Sequence, residues 1–227
     1  MATNASRVQR VTAMARRCAV RYPRLGYFLY AVSLQYFVVQ VVVASRWSPA
    51  YNLRANTISD LGNTVCGRFN GRPVCSPLHS LMNLSFGTLG VTMVVGSLLI
   101  NFCVPARRGT RRGLSAMSVA GSGVLLVGVF PENTVSALHG IAAALPFTVG
   151  NIAVVGLGLT LPLPRLLRVF SVLAGSAALV ALVCYASNQD WGLGEGGIER
   201  VVAYPQTLWL VVVGMYFIGA DPTKAVP

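Results

Sequence analysis

Apolar residues along this chain gather in six long runs: Leu25–Ala44, His79–Val104, Leu114–Phe130, Leu138–Leu161, Val169–Ser187 and Val201–Gly219. Charged positions fall almost wholly between them. Each run is close to the ~20 residues that a helix, rising about 1.5 Å per residue, needs to cross ~30 Å of hydrocarbon. Backbone amides in lipid must bond within their own element, which leaves helices or the strands of a closed barrel. Barrel strands alternate apolar and polar residues over about ten positions. These runs are longer and show no alternation, so the pattern predicts an all-α polytopic membrane protein, a bundle of six transmembrane helices.

Small residues punctuate the runs. Gly121, Gly123 and Gly128 in the third and Gly150, Gly156 and Gly158 in the fourth permit close helix approach, which matters where hydrophobicity no longer drives association. Pro146 and Pro205 are expected to kink the fourth and sixth helices. The organisation expected is a basic tail over residues 1–24, a transmembrane domain over 25–219 and a short tail over 220–227. Six arginines precede the first run, as in a secretory leader. That run is long enough to span a bilayer and ends at Ala44-Ser45-Arg46 without a small-x-small cleavage site, so it reads as a retained helix.

Composition agrees with a lipid-facing exterior. The chain is 54% hydrophobic and 11% charged, with a mean hydropathy of +0.63, whereas soluble domains carry about a quarter charged residues. The net charge of +12 invites a nucleic-acid reading, but no basic stripe is interleaved with aromatics. With six alternating helices, Arg7, Arg10, Arg16, Arg17, Arg21, Arg24, Arg107, Arg108, Arg111, Arg112, Arg165, Arg168 and Lys224 share one side. Arg46, Arg54, Arg68, Arg72 and Arg200 take the other, with every acid but Asp221. The positive-inside rule puts the first group, and both termini, in the cytoplasm, where it would attract anionic lipid. The oligomeric state is left open.

Cys66 and Cys75 bracket CGRFNGRPVC on the expected outer side, where an oxidising compartment permits a structural disulfide. Cys18, Cys103 and Cys184 read as small packing residues.

Candidate chemistry collects on the same face. His79 opens the second helix and His139 the fourth. Asp60 lies within ISDLGN, Glu132 within VFPENTVSALHG, and Glu195, Glu199 and Arg200 within GLGEGGIER. Ionisable groups at membrane depth are costly and tend to serve function. Three uses stay open. One is a polar pocket for a lipid headgroup or small solute, walled by Asp60, His79, Asn83, Glu132, His139, Glu199 and Arg200. A second is a zinc-assisted hydrolase using His79, His139, Asp60 and Glu199, although no H-x-x-x-H pair is present. A third is bis-histidine haem ligation by His79 and His139. No cofactor is otherwise indicated, and whether the chain is an enzyme is not decided. Structural uses compete with all three. Thr57 and Asp60 have capping-box spacing, and Asn133 or Thr134 suits a helix N-cap. Ser80 and Ser136 stand near histidines along the chain, without supporting residues.

The strings YNLRANTISDLGN, GVFPENTVSALHG and GIERVVAYP resemble the prokaryotic membrane family called domain of unknown function 998, over roughly Arg24 to Gly219. The resemblance implies six helices and a plasma-membrane location. It carries no assigned reaction, and it draws attention to Asp60, Gly62, Pro131, His139, Glu199 and Arg200. The Cys66–Cys75 insert looks like an elaboration of this chain or a subgroup.

Overall fold

The computed structural model describes residues 23–103 and 107–220. The arginine-rich stretch before Pro23, Cys18, Val104, Asp221 and Lys224 lie outside the described residues. Among the described residues six helices are long and apolar enough to cross a membrane: α1 (Pro23–Ala44), α2 (His79–Cys103), α3 (Arg108–Val129), α4 (Ser136–Thr160), α5 (Arg165–Ala186) and α6 (Gly194–Gly219). The fold class expected from the apolar pattern is therefore the one observed, with one small sheet added.

Helix ends differ from the apolar runs in an informative way. α3 starts at Arg108 and α5 at Arg165, so the arginines expected in loops occupy first turns instead. α6 begins at Gly194, which takes Glu195, Glu199 and Arg200 out of the expected loop and into the helix. Helical bonding does not stop where hydropathy does: a helix can carry polar residues through the interface when another segment gives them partners.

Proline acts unequally. Pro146 opens a π-helical segment, Pro146–Gly150, within α4, as expected where a missing N–H and the ring disturb the ladder. Pro205 lies inside α6, whose helical assignment is unbroken. α1 is interrupted instead by a turn at residues 33–34, where Ser33 N–H bonds Tyr30 O at 3.1 Å.

The core is built from close contacts and buried interhelical hydrogen bonds. A Cβ on Gly90 would stand 2.4 Å from Leu125 N, so α2 and α3 meet backbone to backbone only because a glycine is there. Trp209, Tyr30, Met82, Met93, Leu114 and Met117 are fully buried. Trp209 Nε1 donates to Ser171 Oγ at 2.7 Å, joining α6 to α5. Asn151 Nδ2 donates to Val202 O at 3.0 Å, joining α4 to α6. Burial fixes the roles of the helices: half of the apolar window of α2 and of α6 is buried, against 22% for α5. α5 thus forms an outer wall toward lipid.

The long segment between α1 and α2 folds over one end of the bundle. It holds a 3-10 turn, Ser59–Gly62, and a hairpin of β1 (Gly67–Phe69) and β2 (Arg72–Val74). The Cys66–Cys75 disulfide closes the hairpin. Asn70 and Gly71 both have positive φ, 46° and 77°, the signature of a type I′ hairpin turn favoured by Asn-Gly. A loop was expected there; the Asn-Gly pair makes it a sheet.

Candidate functional site

The hairpin end contains two adjoining clusters of buried polar groups, each centred on a carboxylate. The first is Asp60, wholly buried. Thr57 Oγ1 accepts the Asp60 N–H at 3.0 Å, and an Asp60 oxygen accepts the Thr57 N–H at 3.0 Å. The capping-box reading of these two residues therefore holds, around the 3-10 turn rather than an α-helix. Arg72 reaches in from β2: Nε donates to Oδ2 at 2.6 Å and Nη2 to Oδ1 at 3.2 Å. Asn56 Nδ2 adds a bond at 3.2 Å. Burial works against the Arg72 charge, and the Asp60 carboxylate more than restores it, so the pKa of Arg72 rises. Arg72 Nη1 also donates to Glu195 at 2.5 Å, tying the hairpin to α6.

The second cluster centres on Glu199, on α6. One of its oxygens accepts the Ile58 N–H at 2.5 Å and the other faces Ser59 Oγ at 3.3 Å. Ser59 Oγ lies 2.9 Å from His139 Nε2. His139 Nδ1 lies 2.8 Å from the Phe130 carbonyl oxygen, which can only accept, so Nδ1 bears the hydrogen. In the neutral ring Nε2 is then the acceptor, directed at Ser59.

Arg200 turns the other way. Nη1 donates to the carbonyls of Leu53, Asn56 and Gly196 at 3.1, 3.0 and 2.6 Å, and Nη2 donates to the Tyr51 hydroxyl. Its guanidinium carbon lies 5.4 Å from the Tyr51 ring centroid. Arg200 is a clamp that fastens the covering segment to α6. Gly196 makes the fit possible, since a Cβ there would stand 2.1 Å from Asn56 O.

The structure thus gathers His139, Glu199 and Arg200 beneath residues 51–63, the segment that carries Asp60. His79 stands apart from these hydrogen bonds, with Nδ1 2.9 Å from Ser76 O. Asn83 Nδ2 donates to Gly62 O at 2.9 Å. Glu132 accepts from Asn70 Nδ2 at 3.4 Å, while its other oxygen is buried without a partner. Burial pushes the Glu132 carboxyl up to about 8, with the charges of Asp60 and Glu199 adding to the effect. Asn133 does not cap α4: it pairs with Thr64 through bonds of 3.0 and 3.1 Å, and the N-cap position is Val135. Among the described residues no three of His, Cys, Asp or Glu stand so as to hold a metal ion.

A narrow cavity of about 40 Å3 adjoins the second cluster. Ser59, Glu199, Gln206 and Thr207 supply its polar wall; Tyr36, Phe86, Leu89, Val124, Val127 and Phe147 are among its apolar neighbours. Gln206 Oε1 is buried without a partner, and Nε2 has only Met93 Sδ at 3.6 Å. The space exceeds the 10–15 Å3 or so that one water needs, and it fits a slim group rather than a bulky head. Ser59, Arg72, Tyr51 and Gln206 were not picked out by sequence. Ser59 sits inside the flagged ISDLGN string, but its partner is 80 residues away, and no spacing rule reaches that far.

A six-helix membrane bundle with a disulfide-closed polar cover at one end is the class of protein that this architecture defines. The chain belongs to the family described as "Protein of unknown function (DUF998)", whose profile matches residues 31–216. No curated protein and no solved structure shows significant similarity to it.

Proposed function

We propose that this protein is a binding module for an amphipathic, lipid-like ligand, held in the cavity beneath the covering segment. The observation that carries this reading is the lining: a carboxyl, a hydroxyl and an under-bonded amide on one wall, with apolar side chains around the rest. Such a site suits a slender apolar chain ending in a polar group. The ligand enters from the lipid, because the surrounding helices present apolar side chains outward. The hairpin end faces the outside of the cell membrane. The disulfide supports that orientation, as does the placing of Arg107, Arg108, Arg111, Arg112, Arg165 and Arg168 at the opposite end. Those arginines favour anionic lipid on the inner leaflet.

The test is photo-crosslinking in nanodiscs with a phospholipid bearing a diazirine on one acyl chain. Labelled peptides should map to α2, α3 and α6 around the cavity. Ala203→Phe, which fills the cavity, should reduce labelling there about tenfold while leaving the melting temperature within a few degrees. Labelling spread evenly over the lipid-facing surface, and unchanged by Ala203→Phe, would sink the reading.

A further inference from the structure

We infer that Ser59 is a nucleophile and His139 its general base, so that the cavity is an acyl-transfer site for esters of lipid alcohols. This deepens the binding reading and rests on it. Serine attacks a carbonyl only if a neighbouring base takes its proton, and the base must offer a lone pair at hydrogen-bonding distance. His139 does so. The Phe130 carbonyl fixes its hydrogen on Nδ1, which leaves the Nε2 lone pair facing Ser59 Oγ at 2.9 Å. A third group orients the base, as nucleophile–base pairs require. Here that group is a backbone carbonyl, supplied by the turn leading into α4.

The surroundings fit the reaction. His139 is 5% exposed and Glu199 4%, so bulk water does not dilute the electrostatics of the pair. Ser59 lines the cavity, and His139 is not part of that lining. Glu199, 3.3 Å from Ser59 Oγ, places a carboxyl where its negative charge would favour the imidazolium formed on proton transfer. Gln206 and Thr207 belong to the same lining. The Gln206 amide gives one of its two hydrogens to a thioether, a weak acceptor.

The steps balance without any further reagent than water. Ser59 Oγ bonds to the ester carbonyl carbon as its proton passes to Nε2. The bond from that carbon to the alcohol oxygen breaks, and the alcohol leaves with the proton from Nε2. A water molecule then adds to the acyl-serine, giving a proton to Nε2. The acid departs as Ser59 recovers its hydrogen.

The experiment uses the intact chain in nanodiscs with a long-chain alkyl fluorophosphonate, which forms a stable phosphonyl-serine with loss of fluoride. Peptide mapping should place the adduct on Ser59. Ser59→Ala should abolish it, and His139→Gln should slow its formation by about 100-fold or more, the lower range of general-base catalysis. Mapping on the unaltered chain needs no variant, so a variant that misfolds does not blunt the test. A chain that crosslinks the diazirine lipid at the cavity yet gains no phosphonyl group on Ser59 overturns the nucleophile and leaves the binding reading intact. Failure of both labels removes both. Labelling of Ser59 that is as fast in His139→Gln overturns the role of His139.

Discussion

Asp60 and Glu199 are both buried carboxylates under the same covering segment, and they are satisfied in opposite ways. Asp60 receives four hydrogen bonds, two of them from one guanidinium. It is wholly buried and does not line the cavity. Glu199 receives one backbone N–H, stands 3.3 Å from a hydroxyl that His139 also engages, and lines a cavity. The first arrangement holds a loop in place. The second keeps reactive groups under-committed beside open space. At membrane depth a polar residue is thus best judged by whether its bonding is complete, since burial alone does not separate the two.

The largest effect should come from Asp60. Asp60→Asn removes the buried half of the ion pair and leaves Arg72 only the half-exposed Glu195 to balance its charge, at a cost of about 3 kcal/mol. Glu199→Gln keeps an oxygen for Ile58 N–H and should cost only about 1 kcal/mol. Denaturant unfolding in mixed micelles measures both. Equal losses would erase the contrast between the two carboxylates.

An intermediate effect is expected at the hairpin. Replacing Cys66 and Cys75 by Ser frees a short loop, worth about 2–3 kcal/mol by chain entropy, and loosens the strand that carries Arg72. Proteolysis between residues 66 and 75 should accelerate, while Ser59 and Glu199, held from α4 and α6, keep their contacts. Free thiols at both positions in non-reduced membranes would show that the bridge does not form.

The last effect is read against pH and belongs to Glu132, another carboxyl of this end. Its folded pKa of about 8 lies above its ordinary value of 4.5, so the folded state binds the proton more tightly. That stabilisation is complete below pH 4.5 or so and is lost as pH rises through 8. The wild-type melting temperature should fall between pH 5 and about 9, and Glu132→Gln should flatten the decline. A pH profile identical in the variant would rule out Glu132 as its source.

Much of the fold was legible in the apolar runs, because a bilayer forces every span to be long, apolar and helical. The Thr57–Asp60 box was legible too, being local. The helical start at Gly194 was not. Hydropathy ends at Val201, and only the carbonyls of Leu53 and Asn56 and the hydroxyl of Tyr51 make Arg200 affordable inside α6. Ser80 and Ser136 were the serines that proximity along the chain suggested, yet Ser59 is the one bonded to His139.

By itself the sequence determined a six-span bundle, the asymmetry of its charges and the strings in which its polar residues stand. Lipid acts on composition and length, which any window of about twenty residues displays. Which polar residue meets which was decided only by tertiary structure. Partners such as Ile58 and Glu199 are 141 residues apart, and only the packing of a covering segment on three helix ends brings them within a hydrogen bond.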